Sequence, residues 1–147
     1  MEFKIRPQKN EDLEITFQWR NDPEVLKNAQ TSNVISFNEH EAMYKFNNSV
    51  KLIFEVDGVP AGIIACTRIT NELGGEWSFH MGADHRGKGL SEVMLNAALF
   101  YLGKEEAYER ITSRVLSTNA ISKHLHSKIG FKQTGEKDNF FEYEIEL

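Results

Sequence analysis

The chain has 147 residues, a length that suits one domain with a substantial buried core. It is 40% hydrophobic and 27% charged, with 22 acidic against 17 basic residues, so broad binding to nucleic acid or to an anionic membrane is not expected. Cys66 is the only cysteine, which excludes an internal disulfide and a Cys-based zinc site.

The opening MEFKIRPQKNEDLE is charged throughout and has no signal-peptide pattern, so a cytoplasmic location is expected. No apolar run approaches the length of a membrane helix. Residues 2–6 alternate, with Phe3 and Ile5 against Lys4 and Arg6, and predict a short strand closed by Pro7. Residues 11–21 predict a helix, with Leu13 and Phe17 four apart and Pro23 after its end. Ser36-Phe37-Asn38-Glu39 is a capping box opening a helix over 36–48, whose Ala42, Met43 and Phe46 should form one apolar face.

Strands at 51–56 and 60–69 flank Asp57-Gly58, a strong hairpin signal. Residues 76–81 alternate again, so Trp77, Phe79 and Met81 should share one face and Glu76, Ser78 and His80 the other. A long, deeply buried helix is predicted from Lys88 to Lys104, and a strand at 110–116. Asn119 should cap a helix with Ile121, Leu125 and Ile129 spaced by four and Gly130 as its stop. Two strands end the chain, the last with Phe141, Tyr143, Ile145 and Leu147 alternating with glutamates. The sum is an α/β (α+β mixed) domain over residues 1–147, with seven strands and four helices around a mixed sheet.

Residues 81–91, MGADHRGKGLS, join a strand to the buried helix. Glycines let backbone amides face a phosphate, and a helix N-terminus adds free N–H groups and a favourable dipole. The turn therefore reads as an anion cradle, with Arg86 and Lys88 adding positive charge. Residues 82–88 fit the first seven positions of a nucleoside-triphosphate loop, but Gly89 stands where the magnesium-binding Ser or Thr belongs. The dinucleotide pattern fails because Glu92 replaces its third glycine.

Arg86-Gly87-Lys88-Gly89-Leu90-Ser91 resembles the acyl-CoA loop of the GNAT N-acetyltransferase superfamily, Arg/Gln-x-x-Gly-x-Gly/Ala, with Ser91 at the last position. Residues 119–131, NAISKHLHSKIGF, resemble the family's later segment, with a one-residue offset at Ile121. The resemblance runs in order over nearly the whole chain. It implies one domain with a twisted, mostly antiparallel sheet and transfer of acetyl from acetyl-CoA to an amine by direct attack, without metal. Backbone groups around Phe79 and Met81 would hold the pantetheine arm. Amides from Arg86 through Ser91 (Gly87, Lys88, Gly89 and Leu90 between them) would hold the pyrophosphate, and Asn119 would face the arm.

The family often places a tyrosine acid where this chain has His126, with Tyr143 and Tyr108 as substitutes. Glu76 and His80 are the candidate bases. Arg114 stands where one bacterial type of protein N-terminal acetyltransferase carries Glu. His124 and His126 fall on opposite sides of a helix and His80 and His85 on different elements, so no metal site is read from them.

Trp19-Arg20-Asn21 followed by Asp-Pro-Glu-Val resembles two branches, the ribosomal-protein N-terminal acetyltransferases and the nucleotide-sugar N-acetyltransferases of the pseudaminic acid pathway. Trp19, Arg20 and Asn21 are thus candidate substrate residues, and a nucleotide-linked aminosugar is the favoured acceptor. The expected partners are a small-molecule or peptide amine and a second copy in a homodimer, with no nucleic acid and no membrane. A non-catalytic acyl-CoA-binding module on the same fold is the alternative that His126 leaves open.

Overall fold

A computed structural model describes residues 1–29, 33–46, 49–69 and 73–147. Strand β1 (Phe3–Pro7) leads through a 3-10 turn (Asn10–Asp12) into helix α1 (Leu13–Arg20), then α2 (Pro23–Lys27) and α3 (Phe37–Lys45). Strands β2 (Ser49–Val56), β3 (Val59–Arg68) and β4 (Gly74–Met81) follow as a meander. Helix α4 (Ser91–Glu105), β5 (Arg110–Leu116), α5 (Ala120–Lys128), β6 (Lys132–Lys137) and β7 (Phe140–Glu146) complete the chain. The seven strands form one sheet in the order β1-β2-β3-β4-β5-β7-β6. Only β4 and β5 pair in parallel; every other neighbouring pair is antiparallel.

The β2–β3 hairpin turns at Asp57 (φ 51°) and Gly58 (φ 79°), both left-handed, as a two-residue primed turn requires. Alternation then divides the side chains between two faces. One packs on α4, whose Met94, Leu95, Ala98 and Leu102 are fully buried against Leu52, Phe54, Ile64 and Trp77. Each buried Leu, Ile, Phe or Met side chain among them contributes about 1.5–3 kcal/mol on burial. The other face carries a small second core of Trp19, Ile53 and Ile63 under α1.

Four expectations are corrected. Pro23 begins a helix instead of following one, because Asp22 caps α2 through a hydrogen bond from the Glu24 amide (2.9 Å) and proline is well suited to the first turn. The capping box at Ser36 forms, but Ala42, Met43 and Phe46 lie on the exposed side of α3. That helix instead buries His40, whose Nε2 meets the Thr16 hydroxyl at 2.9 Å. Residues 47 and 48, the expected end of this helix, lie outside the described residues. Helix α4 starts at Ser91 and not Lys88, since Gly87 and Gly89 have φ of 72° and 71°. Ile121, expected on an inner face, is 83% exposed, and His126 is the buried residue of α5.

Candidate active site

Strands β4 and β5 pair over only three positions, Gly74–Arg110, Gly75–Ile111 and Glu76–Thr112. Beyond Glu76 and Thr112 they diverge, and a cleft of about 550 Å³ opens between them. Phe79 and Met81 line it from β4, Ser113 and Arg114 from β5, and Asn119, Ser122 and His126 from the α5 side. The Asn119 side chain caps α5 by accepting from the Ser122 amide (3.1 Å), which fixes the corner of the cleft.

The glycine turn closes one end. Gly87 and Ser91 line the cleft, while Lys88 and Gly89 are exposed beside it. Leu90 is buried and anchors the turn to the core. No side chain caps the N-terminus of the fifteen-residue helix α4, so its first amides point outward without an internal acceptor. A Cβ at Gly87 or Gly89 would meet nothing within 4 Å; the left-handed backbone, not crowding, calls for glycine there. Open amides at a long helix's start fit a pyrophosphate. The Arg86 side chain is already engaged: Nε donates to the Met81 carbonyl (3.1 Å) and Nη2 pairs with Asp22 (2.9 Å). Lys88 is the exposed cation of the turn.

His126 occupies an aromatic nest. Its ring stacks on Tyr143 at 5.4 Å and meets Phe131 edge-on at 4.9 Å. Trp77 Nε1 donates to His126 Nε2 (3.2 Å), and His126 Nδ1 donates to the Ser122 carbonyl (2.8 Å). This pattern fixes the neutral Nδ1–H form, because a proton on Nε2 would face the indole N–H. Burial also lowers the imidazole pKa, opposed only by the Ser122 carbonyl. The expectation of His126 as an acid thus meets a ring with both nitrogens committed and no proton to spare.

Arg20 and His80 also line the cleft. His80 Nε2 is buried with no hydrogen-bond partner. Burial first, then the charges of Arg20 and Arg86, push its pKa down to about 4, so it is neutral near pH 7. Of the other candidate residues, Trp19 is core: it packs against Gly82 and lies edge-on to His80 at 6.4 Å. Asn21 spends its amide on the backbone of Ile35, giving and taking a hydrogen bond at 3.0 Å each. Glu76 sits at the last paired position, outside the cleft lining.

The predicted residues Phe79, Met81, Arg86, Gly87, Ser91, Asn119, His126, His80 and Arg20 therefore share one cleft; Trp19, Asn21 and Glu76 do not line it. Sequence reasoning missed Ser113 and Ser122. Ser113 had a signal: it stands between Ile111 and Val115 at an inward position where an apolar residue is the norm. Tyr108, a substitute acid by sequence, lies elsewhere. It borders a more open hollow of about 780 Å³ with Gln8, Tyr44, Lys51 and Tyr101, which holds none of the predicted site residues. Among the described residues, no group of three or more His, Cys, Asp or Glu is placed to hold a metal, and no helix is long and apolar enough to cross a membrane.

Comparison with solved structures agrees on the fold. A domain from Methanocaldococcus jannaschii DSM 2661 matches with a TM-score of 0.84 at 24% identity, covering 99% of each chain. Spermidine N-acetyltransferase from Vibrio cholerae, solved with CoA and spermine, matches with a TM-score of 0.88 at 20% identity, covering 98% of this chain and 95% of the other. An N-acetyltransferase from Staphylococcus aureus Mu50 matches with 0.80 at 23%, covering 99% of each. Among curated proteins the sequence finds no match. Residues 2–132 match the family model of the acetyltransferase (GNAT) domain. The nucleoside-triphosphate reading of residues 82–88 is thereby overturned: the turn serves a mostly antiparallel sheet split at β4 and β5 and leads to α4 three residues late. With nearly nine-tenths of its length matched and the parted strands and uncapped helix in place, the chain belongs to the GNAT family and is an acetyltransferase of that type.

Proposed function

We propose that the chain is an acetyl-CoA-dependent N-acetyltransferase acting on the primary amine of a small molecule. The observation that carries this reading is the cleft where β4 and β5 part, running to the uncapped N-terminus of α4. Its volume, about 550 Å³, lies in the range of small-molecule sites.

When bound, acetyl-CoA supplies the activated acetyl group as a thioester. The main chain of Phe79 and Met81 holds the pantetheine arm along β4, and the amides from Arg86 to Ser91 receive the pyrophosphate. Asn119 and Ser122 shape the α5 wall beside the arm. The amine nitrogen forms a bond to the acetyl carbon, the C–S bond breaks, and the amine proton leaves through water.

His80, neutral and with Nε2 free, accepts a hydrogen bond from the attacking amine and aims its lone pair. With a pKa of about 4 it orients the amine and does not retain its proton near pH 7. The flanking charges of Arg20 and Arg86 disfavour an ammonium and so favour arrival as the free amine. The leaving thiolate needs little help, since a thiol with a pKa of about 8.5 is a fair leaving group. The Ser122 hydroxyl is a hydrogen-bond donor on that wall. His126 in this reading is a positioning residue that sets the α5 wall.

Two acceptors fall within this class: the nucleotide-linked aminosugar suggested by the sequence and a polyamine, the ligand of the Vibrio enzyme; a protein N-terminus is the alternative outside it. The first test is thermal unfolding with acetyl-CoA, CoA or buffer. Ligand at about 100 times its dissociation constant adds about 2.7 kcal/mol of stability. Stabilisation by both CoA species is the expected result; no shift with either would remove the cofactor assignment.

A further inference from the structure

Arg20 ends helix α1 with its guanidinium half-buried in the cleft wall. No carboxylate, carbonyl or hydroxyl among the described residues accepts a hydrogen bond from it or pairs with it. Burial alone lowers its pKa, yet an arginine stays charged under all ordinary conditions. Its field extends over its neighbours: burial first, and then the Arg20 charge, presses down the pKa values of His40, Lys51 and His80. Asp22, the nearby carboxylate, is spent on Arg86 and on the Glu24 amide. Glu24 lies exposed at the rim.

A half-buried cation without a counter-charge is costly unless a ligand supplies one. His80, whose buried Nε2 has no hydrogen-bond partner, lines the same cleft. This pair is built to meet an acceptor, and the cofactor's pyrophosphate is already provided for by the separate amides of the glycine turn. We propose that the acceptor amine carries an anionic group, a carboxylate or a phosphate, and that Arg20 binds it. The inference rests on the cofactor reading above and adds the acceptor's charge to it. A polycation such as spermidine would bring positive charge to this arginine, in a cleft whose lining holds one carboxylate, the exposed Glu24.

The test is kcat/KM at saturating acetyl-CoA for matched amines: ethanolamine against O-phosphoethanolamine, glucosamine against glucosamine 6-phosphate, propylamine against β-alanine, and spermidine alone. A charge-assisted hydrogen bond of about 1.5–3 kcal/mol predicts that the anionic member leads by roughly ten- to a hundredfold in at least one pair. The phosphate pairs and the β-alanine pair separate the two anions. Arg20→Gln should level that ratio through KM, and Arg20→Lys should keep part of it. Preference for the neutral amines or for spermidine overturns the proposal, as does an unchanged ratio in Arg20→Gln. A loss of acetyl-CoA affinity in Arg20→Gln would assign the guanidinium to the cofactor and also overturn it. If acetyl-CoA stabilises the protein but none of these amines is turned over, the acceptor proposal fails and the cofactor reading stands. If acetyl-CoA does not bind, the cofactor reading itself fails.

Discussion

A Cβ placed on Gly82 would lie 2.5 Å from Trp19 Nε1, so the indole of α1 rests directly on the backbone where β4 enters the glycine turn. The tryptophan is thus a gauge that sets how closely the first helix approaches the glycine-turn end of the cleft. Gly82→Ala forces a rigid ring, not a flexible tip, to give way. We expect a loss of about 1–3 kcal/mol, as for other overpacked sites. At roughly 2–4 °C per kcal/mol for a chain of this size, differential scanning calorimetry would read it directly. An unchanged melting temperature would mean that Trp19 is free to move.

Gly89 presents the opposite situation, with open space and a left-handed backbone. Gly89→Glu should leave the unfolding temperature within a few degrees, since the strain of a non-glycine residue there is about 1–2 kcal/mol. It should also abolish stabilisation by acetyl-CoA, because a carboxylate then sits at the amides meant for phosphate. Isothermal titration calorimetry checks this, and full affinity in the variant would remove the loop from the cofactor site.

His126→Phe tests the buried imidazole. The change strands the Trp77 indole N–H without its acceptor, which costs about 1–3 kcal/mol. We expect a lower melting temperature and a kcat–pH profile of unaltered shape. Disappearance of a basic limb from that profile would restore His126 as a proton donor.

Acid should weaken the fold through its histidines. Burial leads the causes that hold His40, His80 and His126 below their ordinary 6.5, with His80 near about 4. Between those values the unfolded chain binds more protons than the folded one, so stability rises with pH across that window. It is lost as pH falls from about 6.5 toward 4, and the contribution is flat above 6.5. Urea midpoints at pH 7.5 and 5 should differ in that sense, and His80→Gln should flatten the slope. An equal slope in wild type and variant would mean that His80 protonates freely in the fold.

The parts of the molecule governed by local chemistry were legible in the sequence. Asp57-Gly58 and Ser36-Glu39 specify their turn and cap within four residues, and both formed. The glycine turn between β4 and α4 was legible for the same reason, and Gly87 and Gly89 are both left-handed in it. The side chains that failed to follow the pattern were decided by partners far along the chain. Apolar spacing put Met43 and Phe46 inside, but the pairing of His40 with Thr16 turned α3 the other way. Trp19 and Asn21 looked like substrate residues until Gly82 and Ile35 claimed them. Asp22-Pro23 fits a helix start as well as a helix stop, since proline serves at both places, and only the Asp22 cap decides between them. The three-residue span of the β4–β5 ladder had no signature in sequence, because it depends on where two distant strands cease to be parallel neighbours.

That short ladder makes the sheet a hinge-like seam. Four strands stand on one side and three on the other, joined edge to edge by three residue pairs. Amides along the seam should exchange with solvent earlier than those of the long β2–β3 ladder, where pairing runs the length of both strands. A ligand seated in the gap touches both halves and acts as a stitch, so that occupancy slows exchange across the join. The cleft between β4 and β5 is, in mechanical terms, the line along which this fold would first come apart.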